Sequence, residues 1–253
     1  MAPKDQPDNI SGSEEEEEKE MTFLEHLEEL RWRIIWALIG LVIGTIICLI
    51  FIDFLVDAVL LRPARNSGVK LQNLKPFGQL FLYFQVAMIG GVILSLPNIF
   101  YQLWKFIAPA LRKSERKYIW WIVVFTSACF LIGIAFAYFA MLPFTLKFAA
   151  TFGSSSIVNQ FAIDEYMNII ISVMLGAGLV FELPMISFFL TKLGILKPEF
   201  MKKYRRHAIV FIMIAAAFLT PGTDPVSQIV LAIPLLLLYE ISILISKLSV
   251  RKR

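Results

Sequence analysis

The chain alternates between long, largely uncharged apolar stretches and short segments rich in lysine and arginine. A helix needs about 20 predominantly apolar residues to cross the hydrocarbon core of a bilayer. Hydrophobic residues make up 58% of the chain, above the roughly 45–50% of soluble domains. We expect an all-α polytopic membrane protein with six transmembrane helices. Their cores are at residues 32–52, 77–99, 118–141, 166–190, 208–219 and 226–245.

Lysine and arginine residues are unevenly divided between the two sides that such helices define. Fifteen follow the second and fourth stretches or lie at the C-terminus, on the same side as Arg31 and Arg33. Five lie on the other side: Arg62, Arg65, Lys70, Lys75 and Lys147. Because basic residues accumulate in cytoplasmic loops, both termini are predicted to be cytoplasmic, or stromal in a plastid. The basic residues thus indicate orientation, and no nucleic-acid partner is expected.

Composition divides the chain into three parts. Residues 1–20 are polar, end in an acidic run and lack the pattern of a signal peptide, so a disordered acidic tail is expected. Residues 21–247 form the predicted membrane domain, and 248–253 a basic cytoplasmic tail. Cys48 and Cys129 lie in apolar stretches, which favours packing over a disulfide. The histidines lack metal-ligand spacing, so neither a metal nor a cofactor is expected.

Two connecting segments on the predicted outer side are long for simple turns. Residues 62–75 and 143–165 are predicted to build an external cap together, with a short helix at 144–152 and Asp164 as the N-cap of the fourth span. The fifth stretch is unusually short. Its 12 residues rise about 18 Å against a hydrocarbon core of about 30 Å, so local thinning of the bilayer is expected.

Charged residues crowd the entry to the first apolar stretch. Glu25 and Glu29, and then Glu29 and Arg33, are four residues apart and would share one face of a helix. A second segment, 106–117, holds Glu115 among four basic residues on the same predicted side. The residues alone allow two readings: solvated or lipid-facing charges that pair with one another, or a binding site at the cytoplasmic face.

Acidic residues also occur inside the predicted spans. Glu182 lies near mid-depth, two residues before Pro184, which is expected to kink the helix. An intramembrane carboxyl group is a functional candidate, although it can equally be a protonated acid bonded to a neighbouring helix. Glu240 is expected to reach the inner interface as a structural residue, with a role in translocation as the alternative. Asp224 is expected either to cap the sixth helix or to act in translocation.

Four motifs in order resemble the TatC family, the multispanning receptor subunits of the twin-arginine protein translocase. They are HLEELR at 26–31, FIAPAL at 106–111 followed by Glu115-Arg116, FELP at 181–184, and LTP at 219–221 followed by Asp224-Pro225. The resemblance extends over residues 21–247 and includes six spans, a short fifth span and a concave membrane-facing surface. Charged residues are matched along with apolar ones, which makes the resemblance specific.

The resemblance implies a protein-export function driven by the proton-motive force. Glu29 and Glu115 would bind the paired arginines of a signal peptide, Arg31 and Arg33 would orient these acids and keep them ionised, and Phe106 would line the site. Implied partners are twin-arginine signal peptides of folded proteins, single-span TatA/TatB-type subunits, other copies of the chain and the lipid bilayer. The implied location is the bacterial plasma membrane or a thylakoid.

The resemblance also assigns roles away from the signal-peptide site. Glu182 and Pro184 would form an intramembrane site for a partner helix, and Pro63 matches an external-loop proline of functional interest. The alternative function is a proton-coupled secondary transporter that uses Glu182 as its carrier. Without a nucleophile–base pair or a nucleotide-binding motif, enzymatic activity is not expected.

Overall fold

Helices dominate the computed structural model, which describes residues 23–110, 119–152, 159–219 and 225–251. The helices are α1 (Phe23–Ile50), α2 (Ile52–Phe54), α3 (Arg62–Asn66), α4 (Gly78–Ile107), α5 (Ile119–Phe136), α6 (Leu142–Thr151), α7 (Ile163–Val180), α8 (Leu183–Lys192), α9 (Pro198–Lys203), α10 (Arg205–Leu219) and α11 (Pro225–Arg251). Segments Leu55–Leu60 and Ala137–Met141 are π-helical, and a 3-10 turn, Ala108–Ala110, follows α4. The strands are β1 (Lys70–Gln72) and β2 (Gln160–Ala162).

Five helical stretches among the described residues are long and apolar enough to cross a bilayer. They are Leu24–Ile50, Gly78–Ile107, Ile119–Thr151, Ile163–Lys192 and Gln228–Ser249. The predicted all-α polytopic membrane protein is therefore confirmed. The predicted fifth span corresponds to α10, whose 15 residues rise only about 22 Å. A total of six crossings, with both termini cytoplasmic, stays a prediction.

The two long segments that are predicted to lie on the outer side meet through a small parallel sheet. β1 pairs with β2 in the register Lys70–Gln160, Leu71–Phe161 and Gln72–Ala162. The Gln72 and Gln160 side chains are also hydrogen-bonded to each other. This pairing confirms that the loops 62–75 and 143–165 build one cap. The short helix predicted at 144–152 corresponds to α6.

The predicted N-cap of α7 is wrong. Ala162 occupies that position in an extended conformation and makes no side-chain cap hydrogen bond. Because β2 ends at Ala162, the helix starts at Ile163 and the Asp164 carboxylate falls in its first turn, where the helix dipole favours an acid. Its Oδ2 lies 2.7 Å from Nζ of Lys75, so the residue links the two loops instead of capping the helix.

Two tyrosines bind the π-helical segment Leu55–Leu60, between α1 and α4, to the rest of the fold. The Tyr138 hydroxyl donates to the Val59 carbonyl at 2.8 Å, and the fully buried Tyr166 hydroxyl donates to the Leu60 carbonyl at 2.5 Å. Both carbonyls lie at the end of a π-helical segment, where backbone acceptors lose their intrahelical donors. The following Pro63 is buried at the start of α3.

The predicted kink at Pro184 is present as a break between α7 and α8. Phe181 and Glu182 form the turn, and Pro184 lies in the first turn of α8, where a missing N–H costs little. Beyond the break, α8 packs on α11 through small polar side chains. Thr191 Oγ1 lies 2.7 Å from Ser246 Oγ, and Ser187 Oγ donates to the Ser242 carbonyl at 3.3 Å.

The Tyr166 hydrogen bond predicts a measurable contribution to stability. Tyr166→Phe removes the only side-chain donor recorded for the Leu60 carbonyl in the described part of the chain. We expect unfolding to become easier by about 1–3 kcal/mol, the cost of an unpaired buried acceptor. Thermal unfolding of the solubilised protein, followed by circular dichroism, measures this. Tyr204→Phe, at an exposed ring, is the control. Equal melting temperatures for both variants would contradict the assigned role.

Candidate functional site

A cluster of charged and aromatic side chains joins the start of α1 to the end of α4. Glu29 and Arg33 lie one turn apart, and Arg33 Nη2 donates to Glu29 Oε1 at 2.6 Å. The side chains are only 18% and 19% exposed, so water screens their attraction less than it does for a surface pair. Arg33 Nη1 also donates to Gln102 Oε1 on α4 at 3.4 Å. The arginine therefore fixes the acid and links the two helices.

An aromatic stack lies beside this ion pair. The rings of His26 and Phe106 are nearly parallel at 17°, with centroids 4.4 Å apart. His26 is three residues before Glu29 on α1, and Phe106 is four residues after Gln102 on α4, so each shares a helix face with a member of the ion-pair group. In this site, two side chains of α1 therefore face two side chains of α4: Arg33 contacts Gln102, and His26 stacks on Phe106.

The Glu29 carboxylate retains one open acceptor. Its Oε2 is buried and has no hydrogen-bond partner among the residues that the structure describes, and the same holds for Arg33 Nε. Two carboxylate oxygens can each accept an N–H of a guanidinium group. The arrangement can therefore accept a further cationic donor without first breaking the Arg33 contact.

Of the other two residues predicted for this site, the structure describes only Arg31, which is not part of the cluster. Arg31 is exposed and, two residues from both Glu29 and Arg33, projects from a different face of α1. Glu115 lies outside the described residues. The motif analysis missed His26 as a site residue although its spacing to Glu29 was a signal, and it missed Gln102, whose role depends on how α4 packs against α1.

Glu182 occupies a separate, buried position at the break between α7 and α8. Its side chain is 6% exposed, and Oε1 has no hydrogen-bond partner in the described part of the chain. It lies within the apolar stretch Ile163–Lys192. A buried polar atom without a partner is costly, especially in lipid. The position therefore suits a polar group supplied by another molecule.

The remaining predicted site residues belong to other elements. Glu240 of α11 is half exposed and accepts a hydrogen bond from Arg205 Nη2 at 2.6 Å, a surface pair that contributes little to stability. Pro63 is buried in the outer cap. Asp224 lies outside the described residues. Among the described residues, no group of three or more His, Cys, Asp or Glu side chains could hold a metal ion.

Known proteins match this chain along most of its length. The family model for "Sec-independent protein translocase protein (TatC)" matches residues 25–234. A protein of that name from Blattabacterium sp. subsp. Periplaneta americana is 37% identical, over 91% of this chain and 96% of the relative. The one from Carboxydothermus hydrogenoformans is 38% identical, over 91% and 95%.

A plastid relative and a solved structure agree with these matches. The chloroplastic TATC protein of Pisum sativum is 35% identical over 88% of this chain and 63% of its own length. A crystal structure described as "Twin Arginine Translocase Receptor- TatC" superposes with a TM-score of 0.77 at 35% identity, covering 89% of this chain and all of the other. The chain therefore belongs to the TatC family of Sec-independent protein translocase subunits.

Proposed function

We propose that this subunit binds twin-arginine signal peptides at the cytoplasmic face of the membrane. The main observation behind this proposal is the Glu29 carboxylate, which Arg33 holds at 2.6 Å and whose Oε2 has no hydrogen-bond partner among the described residues. The described crystal structure of a TatC "receptor" at 35% identity supports the same role. The site lies at the end of the fold that the distribution of lysine and arginine assigns to the cytoplasm.

Guanidinium chemistry explains why arginine would be selected. A peptide arginine presents a planar, permanently charged fork that can bind carboxylate oxygens in pairs, whereas lysine presents a compact point charge. Oε2 of Glu29 would take one peptide arginine, and Glu115 would supply the carboxylate for the second. The Phe106–His26 stack offers an aromatic surface on which a guanidinium plane can pack. Arg31 would contribute to the local field from outside the cluster.

Assembly with single-span TatA/TatB-type subunits would use the intramembrane carboxyl group. Glu182 is buried, one of its oxygens has no partner in the part of the chain that the structure describes, and a polar residue on a partner helix would supply a hydrogen bond. The break before Pro184 would open the concave surface on which such a helix lies. Folded cargo would then be moved by the proton-motive force. Membership of a translocase family favours this role for Glu182 over that of a carrier in a secondary transporter.

Replacing both proposed acids tests the peptide site. Glu29→Gln combined with Glu115→Gln keeps side-chain size and removes both charges. We expect crosslinking of a twin-arginine peptide to fall at least about tenfold, because charge-assisted hydrogen bonds contribute about 1.5–3 kcal/mol each. Photo-crosslinking of labelled peptide to the purified protein measures this. Glu28 is a neighbouring exposed acid, and the control variant Glu28→Gln should crosslink the peptide as well as the wild-type protein does. Undiminished binding by the double variant would refute the site.

Two substitutions at Glu182 separate partner binding from proton carriage. Glu182→Gln keeps a hydrogen-bonding amide but cannot release a proton, whereas Glu182→Leu keeps neither function. We expect most of the single-span subunit to co-purify with the Glu182→Gln variant and little of it with the Glu182→Leu variant. Co-purification and export of a reporter are the measurements, with Glu240→Gln as the control acid. Equal loss of export by both variants, with the complex intact, would support a proton carrier instead.

The short α10 predicts a dependence of transport on helix length. Four leucines inserted before Leu219 lengthen it by about 6 Å and relieve the mismatch with the bilayer. If the short helix thins the membrane for transport, export of a folded reporter should fall while the protein still accumulates. Four Gly/Ser residues inserted after Leu219 control for the longer connection. Unchanged export after the leucine insertion would argue against thinning, and an equal loss in both variants would assign the effect to the longer connection.

A further inference from the structure

We propose that the groove between α4 and α5 binds one anionic phospholipid, with its phosphate at Lys105 and an acyl chain along the groove. The groove is lined on one side by Pro97 and Tyr101 of α4, and on the other by residues of α5 that include Trp120, Val124, Ala128 and Leu131. It is separate from the Glu29–Arg33 pair, which lies between α1 and α4.

The dimensions of the groove fit one hydrocarbon chain. Its volume is about 510 Å³, within the roughly 300–1,000 Å³ of small-molecule sites. Along α5 it extends from Trp120 to Leu131, about 16 Å of helix at 1.5 Å per residue. One leaflet contributes about half of the 30 Å hydrocarbon core. The groove is therefore about as long as the hydrocarbon layer of one leaflet.

The lining is chemically suited to hydrocarbon. Among the polar side chains that line the groove, Asn98 donates its amide N–H to the Trp36 carbonyl at 3.0 Å. The Ser127 hydroxyl has no partner in the described part of the chain. At the Lys105 end, the rings of Tyr101 and Trp120 meet edge to face with centroids 6.5 Å apart. Tyrosine and tryptophan favour the level of the lipid head groups, which places the interface at this end.

Charge at the same end selects an anionic head group. Lys105 is exposed, and its Nζ lies 5.6 Å from the centre of the Tyr101 ring. No carboxylate within the described ranges forms an ion pair with it. Basic residues between helices at the cytoplasmic surface recognise anionic phospholipids.

Lipid titrations of the purified full-length protein test the site. Native mass spectrometry would count bound palmitoyl-oleoyl phosphatidylglycerol or the matching phosphatidylcholine. We expect phosphatidylglycerol to occupy one site at a several-fold lower concentration than phosphatidylcholine requires. Lys105→Gln should weaken it about fivefold, the equivalent of about 1 kcal/mol per basic residue. Lys197→Gln, an exposed lysine near α9, is the matched control and should bind normally. Equal binding of both lipids, unchanged by Lys105→Gln, would overturn the proposal.

A second pair of measurements locates the acyl chain. Ala128→Phe fills the groove and should reduce occupancy by both lipids. In the wild-type protein, phosphatidylglycerol with a photoreactive acyl chain should crosslink to residues 97–101 and 120–131, which keeps the test valid even if the filled variant folds poorly. Crosslinks confined to other helices would overturn the assignment. Displacement of the bound lipid by one equivalent of a twin-arginine peptide would also do so, because it would assign the groove to the peptide.

Discussion

The hydrocarbon of a bilayer offers no hydrogen bonds, so every backbone polar group at that depth must find a partner within the protein. This requirement explains why the chain is built from long helices and why the backbone has hydrogen-bond partners where the helices become irregular. Where the π-helical segment 55–60 ends, Tyr138 and Tyr166 donate to the released carbonyls. At the break before α8, the Glu182 carbonyl accepts from the backbone amides of Met185 and Ile186.

The same requirement separates the charged groups into two classes. Glu29 is stabilised within the protein by Arg33 and stays partly exposed near a helix end, where the cost of burying charge is moderate. Glu182 is buried without a charged partner among the described residues, where the cost is far greater. The first arrangement is suited to a charged ligand arriving from water. The second is suited to a neutral hydrogen-bonding group arriving within the membrane.

Most local features, and the meeting of the two long loops, were predictable from the sequence, whereas the residue pairs that make the tertiary contacts were not. The lengths of the apolar stretches predicted the long helices and the short α10. Pro184 predicted the break in the fourth apolar stretch. The four-residue spacing of Glu29 and Arg33 indicated their contact. The tertiary contacts join residues 69 or more positions apart in the sequence. They are the Arg33–Gln102 hydrogen bond, the Lys75–Asp164 ion pair and the β1–β2 pairing. Periodicity along one helix contains no information on which face of another helix it meets.

The attachment of α1 has a mechanical consequence. Only 11% of the residues in its most apolar stretch are buried, and it packs mainly on α4, where a Cβ atom at Gly44 would lie 2.7 Å from the Gly91 carbonyl oxygen. Close packing at Gly44 holds α1 against α4 about 16 Å along the helix from Arg33. Because the Arg33–Gln102 hydrogen bond belongs to the same helix pair, a displacement of α1 against α4 changes its length. A molecule that binds the exposed face of α1 can therefore act on the Glu29–Arg33 pair through this one helix pair.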